Sequence, residues 1–205
     1  MGKQGRFGKY GETKRVDRLR RARIGTPSPH GSEIRPFRSR PSSDQTFYKK
    51  PHAKISLAGD TDARFITRLS GKVFEIYGAY EEMVPKWFES EMTVTIIARM
   101  NRQPVGFAMI GDLFNRYDIQ NASELLAIAV DTKKRRKGIG ELLIREIDRK
   151  AADLNIKRIF LHTALENYPA QRLFAGNGYR PWKVKTNFYP AGQDAIVMLK
   201  DIRGW

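Results

Sequence analysis

The chain has 205 residues, 40% of them hydrophobic, and a formal charge of +16, which is enough material for one core-bearing domain and a basic extension. It contains no cysteine, which excludes disulfides, a Cys-ligated metal site and a Cys nucleophile, and its three histidines, His30, His52 and His162, are too scattered for metal-ligand spacing. No apolar run approaches the roughly 20 residues of a membrane span, and the charged start has no hydrophobic signal core, so a soluble, cytoplasmic protein is expected.

The charge is concentrated at one end. Residues 1–50 hold 14 Lys+Arg against 4 Asp+Glu, a balance of +10, which leaves +6 for residues 51–205. This stretch is rich in Gly, Ser and Pro and thin in aliphatic side chains, so it buries too little apolar surface to offset its ordering entropy. Residues 1–54 therefore read as a basic, disordered or conditionally folded tail, and 55–205 as the folded domain. Within the tail, Glu12 to Arg23 is short of helix breakers and suits a basic helix placed on a polyanion, with RNA or the ribosome as the expected partner. Deleting residues 1–50 should flatten the salt dependence of RNA binding, because counterion release scales with the phosphates neutralised. An unchanged salt slope would reduce the tail to a solubility device.

Order is expected from Ile55. Asp60 to Asp62 supply N-caps, and Phe65, Leu69, Val73 and Ile76 recur at helical spacing to about Tyr77. A second helix is expected over 81–90, with Met83, Val84, Trp87 and Phe88 as its apolar stripe and Pro85 starting or bending it. Thr93 to Met100 and Pro104 to Ile110 form a predicted hairpin around Asn101-Arg102-Gln103. A polar connection over 111–122 then leads to Glu124 to Val130, whose near-continuous apolar run suits a central strand.

Next comes a basic turn, Lys133-Lys134-Arg135-Arg136-Lys137-Gly138-Ile139-Gly140, opening a helix with Ile139, Leu143, Ile147 and Ala151 on one face. A glycine turn at a helix start leaves backbone N–H groups unpaired at the positive end of the helix dipole, an arrangement suited to phosphate. It is neither a nucleotide P-loop, since no Lys-Ser/Thr follows a glycine, nor a dinucleotide fingerprint, since Leu143 stands where the third glycine belongs. Lys157 to Thr163 reads as the following strand. Asn167 and Pro169 begin a helix that Gly176 or Gly178 ends, and Tyr179 to Val184 and Ala195 to Leu199 read as closing strands.

Arg135-Arg136-Lys137-Gly138-Ile139-Gly140 matches Arg/Gln-x-x-Gly-x-Gly/Ala, the pyrophosphate signature of the GNAT family of N-acetyltransferases, directly after a strand. Asn167-x-x-Ala170-x-x-Leu173-Phe174-x-x-x-Gly178-Tyr179 is similar to the second cofactor motif of that family, and the element order from about Asp60 to Ile202 follows it. The resemblance implies an α/β protein of the GNAT fold, a central mixed, twisted β-sheet flanked by helices, that uses acetyl-CoA as cosubstrate. It implies that the backbone of Ile128, Ala129 and Val130 pairs with the pantetheine arm, that Asn167 contacts that arm, and that Arg135, Arg136, Lys137, Gly138, Ile139 and Gly140 hold the pyrophosphate.

One departure is visible. The family often carries a tyrosine where this chain has Phe174, and that hydroxyl is usually assigned to protonate the departing thiolate; water, Tyr189 or Tyr168 are the substitutes considered. For the base, Glu124 falls where one branch of the family carries a glutamate on the central strand, and His162 where another carries a glutamate on the next strand. The acceptor implied is an amine, with a protein or peptide N-terminus favoured. A GNAT-fold binding factor with weak catalysis and a small-molecule acetyltransferase are the alternatives.

Overall fold

The computed structural model describes residues 53–90, 92–112 and 121–202. The expectations for residues 1–50, and most of the connection over 111–122, lie outside the described residues.

The described residues form a seven-stranded sheet flanked by four α-helices. In chain order they are β1 (Lys54–Leu57), α1 (Ala63–Phe74), α2 (Tyr80–Glu89), β2 (Thr93–Met100), β3 (Gln103–Gly111), β4 (Ala122–Val130), α3 (Ile139–Asp153), β5 (Arg158–Ala164), α4 (Tyr168–Gly176), β6 (Arg180–Lys185) and β7 (Ala195–Asp201). The sheet order is β1-β2-β3-β4-β5-β7-β6, with β4 and β5 parallel and the other pairs antiparallel. This is the mixed sheet expected. The parallel pair sits where a helix, α3, intervenes between strands, because a parallel connection needs a crossover of that length.

Each face of the sheet is covered by one pair of helices. The stripe of α3, Ile139, Leu143, Ile144, Ile147 and Ala151, is buried with Ile96, Ala108, Leu125, Leu161 and Phe174, so α3 and α4 share a core with one face. Phe65, Ile66 and Leu69 of α1 and Val84 of α2 pack on Ile97, Phe107, Met109, Ala127 and Ala129 of the other. Burying each such aliphatic side chain contributes about 1.5–3 kcal/mol.

Several boundaries differ from the sequence reading for local reasons. The expected first helix divides into a 3-10 turn at Asp60–Asp62, α1, and a second 3-10 turn at Glu75–Tyr77. Helix α2 begins at Tyr80 and runs through Pro85 instead of starting there, so one ladder bond is lost, and Val84 beside it is completely buried. The hairpin turn needs only Asn101 and Arg102, both at positive φ (49° and 65°). Strand β1 was not anticipated; its four residues are mostly exposed and it forms the sheet edge beside β2.

Candidate active site in the fork between two strands

Strands β4 and β5 pair only from Ala122↔Arg158 to Leu125↔Leu161. Beyond that point β4 continues to Val130 and β5 to Ala164, each still paired to its other neighbour, so the two strands part and leave a fork. A register shift lies at the same place: Met109 faces Ala127 but Ile110 faces Leu125, so Leu126 is an extra residue. That bulge places Glu124 and Ala127 on the same face although three positions separate them, and it turns the edge of β4 away from β5.

The fork holds a cavity of about 100 Å³, lined on β4 by Glu124 to Ile128, on β5 by Leu161 to Thr163, and closed by aromatic side chains of α1, α2 and the β6–β7 loop. On its wall, His162 Nδ1 lies 2.7 Å from Glu124 Oε1. Both side chains are largely buried, at 4% and 13% exposure. Because a carboxylate only accepts, Nδ1 carries the hydrogen and Nε2 is the ring nitrogen left with a lone pair. The imidazole is further fixed by Phe188, whose ring stacks on it at 4.1 Å and 6°. Glu124 and His162, alternatives in the sequence, are thus one hydrogen-bonded pair.

Tyr189 also lines the cavity and is 9% exposed. Burial raises its hydroxyl pKa far above the usual phenol range, and Tyr80, Tyr77, Glu124 and Glu166 push it further the same way. The hydroxyl therefore stays neutral and keeps a proton to donate. Phe174 is buried against Tyr179 and forms part of the cavity wall, so the family's hydroxyl position is occupied by a hydrocarbon edge. Tyr168 is 61% exposed and does not line the cavity.

The roof over the cleft comes from two loops that lock together. Ala191 N–H donates to Tyr77 O at 3.3 Å, and Gln193 Nε2 donates to Ile76 O at 2.6 Å. Gly78, at φ 131°, sits so close to the β6–β7 loop that a Cβ would come within 2.8 Å of Pro190 Cβ. Gly78→Ala is therefore expected to strain the backbone and part the loops, at a cost of about 1–3 kcal/mol in a thermal melt. An unchanged melting temperature would show that the contact is slack.

At the open end of the fork, the proposed cofactor residues fall on one continuous ribbon. Ile128, Ala129 and Val130 are paired to β3 on one side only, and their other edge faces the gap, where an extended ligand fits as an added strand. Asp131 then caps a 3-10 turn by accepting from Lys133 N–H, and Arg135 Nε folds back to Val130 O at 3.2 Å. Arg136, Lys137 and Gly138 follow, all exposed, with Arg136 and Gly138 at positive φ (58° and 74°). The ladder of α3 begins with Leu142 N–H on Gly138 O, so the N–H groups of Ile139, Gly140 and Glu141 have no acceptor within the helix.

Two of these residues also have structural duties, the first expected from the helical stripe and the second not. The Ile139 side chain is buried in the core, leaving only its backbone for a ligand. A Cβ on Gly140 would lie 3.0 Å from Leu173 Cδ2, so that glycine also sets how closely α3 and α4 pack. Asn167 caps α4 by accepting from Ala170 N–H at 3.3 Å and lines the cavity beside Tyr77. The unpaired edge of β4, the basic turn and the bare helix start fit an extended, phosphorylated ligand.

The profile of the Acetyltransferase (GNAT) family matches residues 63–179, more than half of the chain, and the chain belongs to that family. In sequence it is similar to an N-alpha-acetyltransferase of Saccharolobus solfataricus, 34% identical over 80 residues, which cover 38% of this chain and 47% of that one. The chain spans about half the length of the curated relatives it matches. In fold it is similar to the ribosomal-protein-S18-alanine N-acetyltransferase of Escherichia coli, with a TM-score of 0.61 and 20% identity over 75% of this chain and 96% of that one. The ribosomal-protein-alanine N-acetyltransferase of Brucella melitensis gives a TM-score of 0.65 and 19% identity over 72% and 99%.

Proposed function

We propose that the protein acetylates the α-amine of a polypeptide at the fork, with the Glu124–His162 pair moving the proton. The hydrogen bond between these side chains in the cavity carries the reading. Acetyl-CoA, when bound, supplies the acetyl group as a thioester, so that a new N–C bond replaces the C–S bond while one proton passes from the amine to sulfur. Glu124 holds the His162 tautomer, and Nε2 takes the amine's proton. The backbone of Ile128 to Val130 and the turn from Arg135 to Gly140 orient the long cosubstrate, which contributes proximity. An N–H on the unpaired edge of β4 is the oxyanion donor.

The acceptor follows from the strength of this base. An α-amine with pKa near ~7.7–8.0 is about 300-fold more available as the free base at neutral pH than a lysine near ~10.4. A single imidazole deprotonates the first readily and the second poorly. The relatives that act on ribosomal-protein alanine or on α-amines are consistent with such an acceptor. CoA release should therefore be at least ~10²-fold faster with a free-α-amine peptide than with the same peptide blocked at its α-amine and carrying an internal lysine. Equal rates would overturn the choice of acceptor.

Phe174 bears on the leaving group. A thiol of pKa near ~8.5 departs as thiolate without much assistance, so solvent suffices to protonate it. Phe174→Tyr should raise turnover by less than the ~10²-fold that a needed general acid supplies. A larger rise would show that the missing hydroxyl limits this enzyme.

A further inference from the structure

The roofed end of the cleft contains more aromatic surface than acetyl transfer requires. The Tyr77 and Tyr189 rings are 4.7 Å apart, Tyr80 lies 6.3 Å from Tyr189, and Trp87 meets Tyr80 edge-on at 6.1 Å and 83°. Phe74 adds a further ring 5.6 Å from Tyr80. All five line the cavity together with Glu124, and among the described residues no lysine or arginine lines it. The ammonium group of Lys185, at the end of β6, lies 5.4 Å from the centre of the Phe188 ring, and neither residue is among those that line the cavity.

Ring faces carry negative electrostatic potential and attract cations, most strongly where water is excluded. The surrounding field has the same sign as the rings. Glu166 raises the pKa of the Tyr77 hydroxyl, and Glu124 and Glu166 both raise that of Tyr189, while burial is the largest cause at each.

We propose that Tyr77, Tyr80 and Tyr189, with Glu124 as counter-ion, form a cation box that receives the acceptor amine as its ammonium ion. This deepens the α-amine acetylation proposed above and rests on it for the identity of the ligand. An α-amine is mostly protonated at neutral pH, so the box captures the abundant form and presents it beside His162 for deprotonation.

The probes are alaninamide, which is mostly an ammonium at about pH 7, and isobutyramide, in which a methyl group replaces that ammonium. Their binding to the full chain saturated with CoA is measured by ligand-observed NMR. Alaninamide should bind at least ~10-fold more tightly, and Tyr80→Leu should reduce that ratio to near one. CoA affinity serves as the fold control for the variant, and Glu124→Gln, which should also collapse the ratio, is the second variant if Tyr80→Leu fails to fold. Equal binding of the two probes to the wild type would overturn the box. A charge preference in a protein that releases no CoA would support the box and remove acetyl transfer as its purpose. Turnover without a charge preference would do the reverse.

Discussion

His162→Ala is expected to slow acetyl transfer to a free-α-amine peptide by about 10²- to 10⁴-fold, the usual contribution of a positioned general base, without changing acetyl-CoA affinity. The separation of the two effects follows from the geometry. His162 sits on β5 against Glu124, whereas the cofactor ribbon runs along β4 beyond Leu125 and into the turn before α3. Glu124→Gln should produce a smaller but similar loss, because the amide no longer fixes the hydrogen on Nδ1. The two residues act as a unit, so the double variant should be no slower than His162→Ala. Steady-state rates and CoA titrations on the three variants test this. Multiplying losses would mean that the residues act separately, and a parallel loss of CoA affinity would mean that the pair supports the cleft instead of the chemistry.

Gly138→Glu should raise the Kd for acetyl-CoA by at least ~10², which corresponds to about 2.7 kcal/mol. Two terms add at this position. A side chain at φ 74° occupies the left-handed region, at a cost of about 1 kcal/mol or more. A carboxylate at the start of α3 also occupies the positive end of the helix, where the phosphates are expected. Arg135→Glu should weaken binding too, through reversed charge and loss of its tether to Val130 O. The affinity of the wild type should fall with added salt and that of Arg135→Glu should fall less steeply. Unchanged affinity in both variants would remove the pyrophosphate from this turn.

Much of the fold was legible because the relevant signals are local. The stripe of α3, the β-branched run at Thr93 and the Asn167–Pro169 helix start each depend on a few neighbouring residues, and each falls on the expected element. Strand β1 escaped because KISL is four residues long with a mostly exposed face, too short to show alternation. The candidate cofactor residues and the burial of Ile139 were legible through spacing, but the contact of Gly140 with Leu173 depends on how α3 meets α4.

The catalytic pair illustrates where sequence reading stops. Glu124 and His162 were each visible as a candidate, but 38 positions separate them, and their contact requires the parallel register of β4 with β5 and the orientation set by the bulge at Leu126. No composition or periodicity encodes that juxtaposition. The same holds for the lock between Gly78 and Pro190 and for the bond from Ala191 N–H to Tyr77 O, which join loops far apart in the chain.

The most direct test of direct transfer in the fork is a single turnover with the protein in excess over acetyl-labelled acetyl-CoA and a free-α-amine peptide present. All of the label should appear on the peptide α-amine as CoA is released, with none bound covalently to the protein at any time. Label that passes through the protein chain, or that remains on CoA with every peptide offered, would contradict the proposed mechanism.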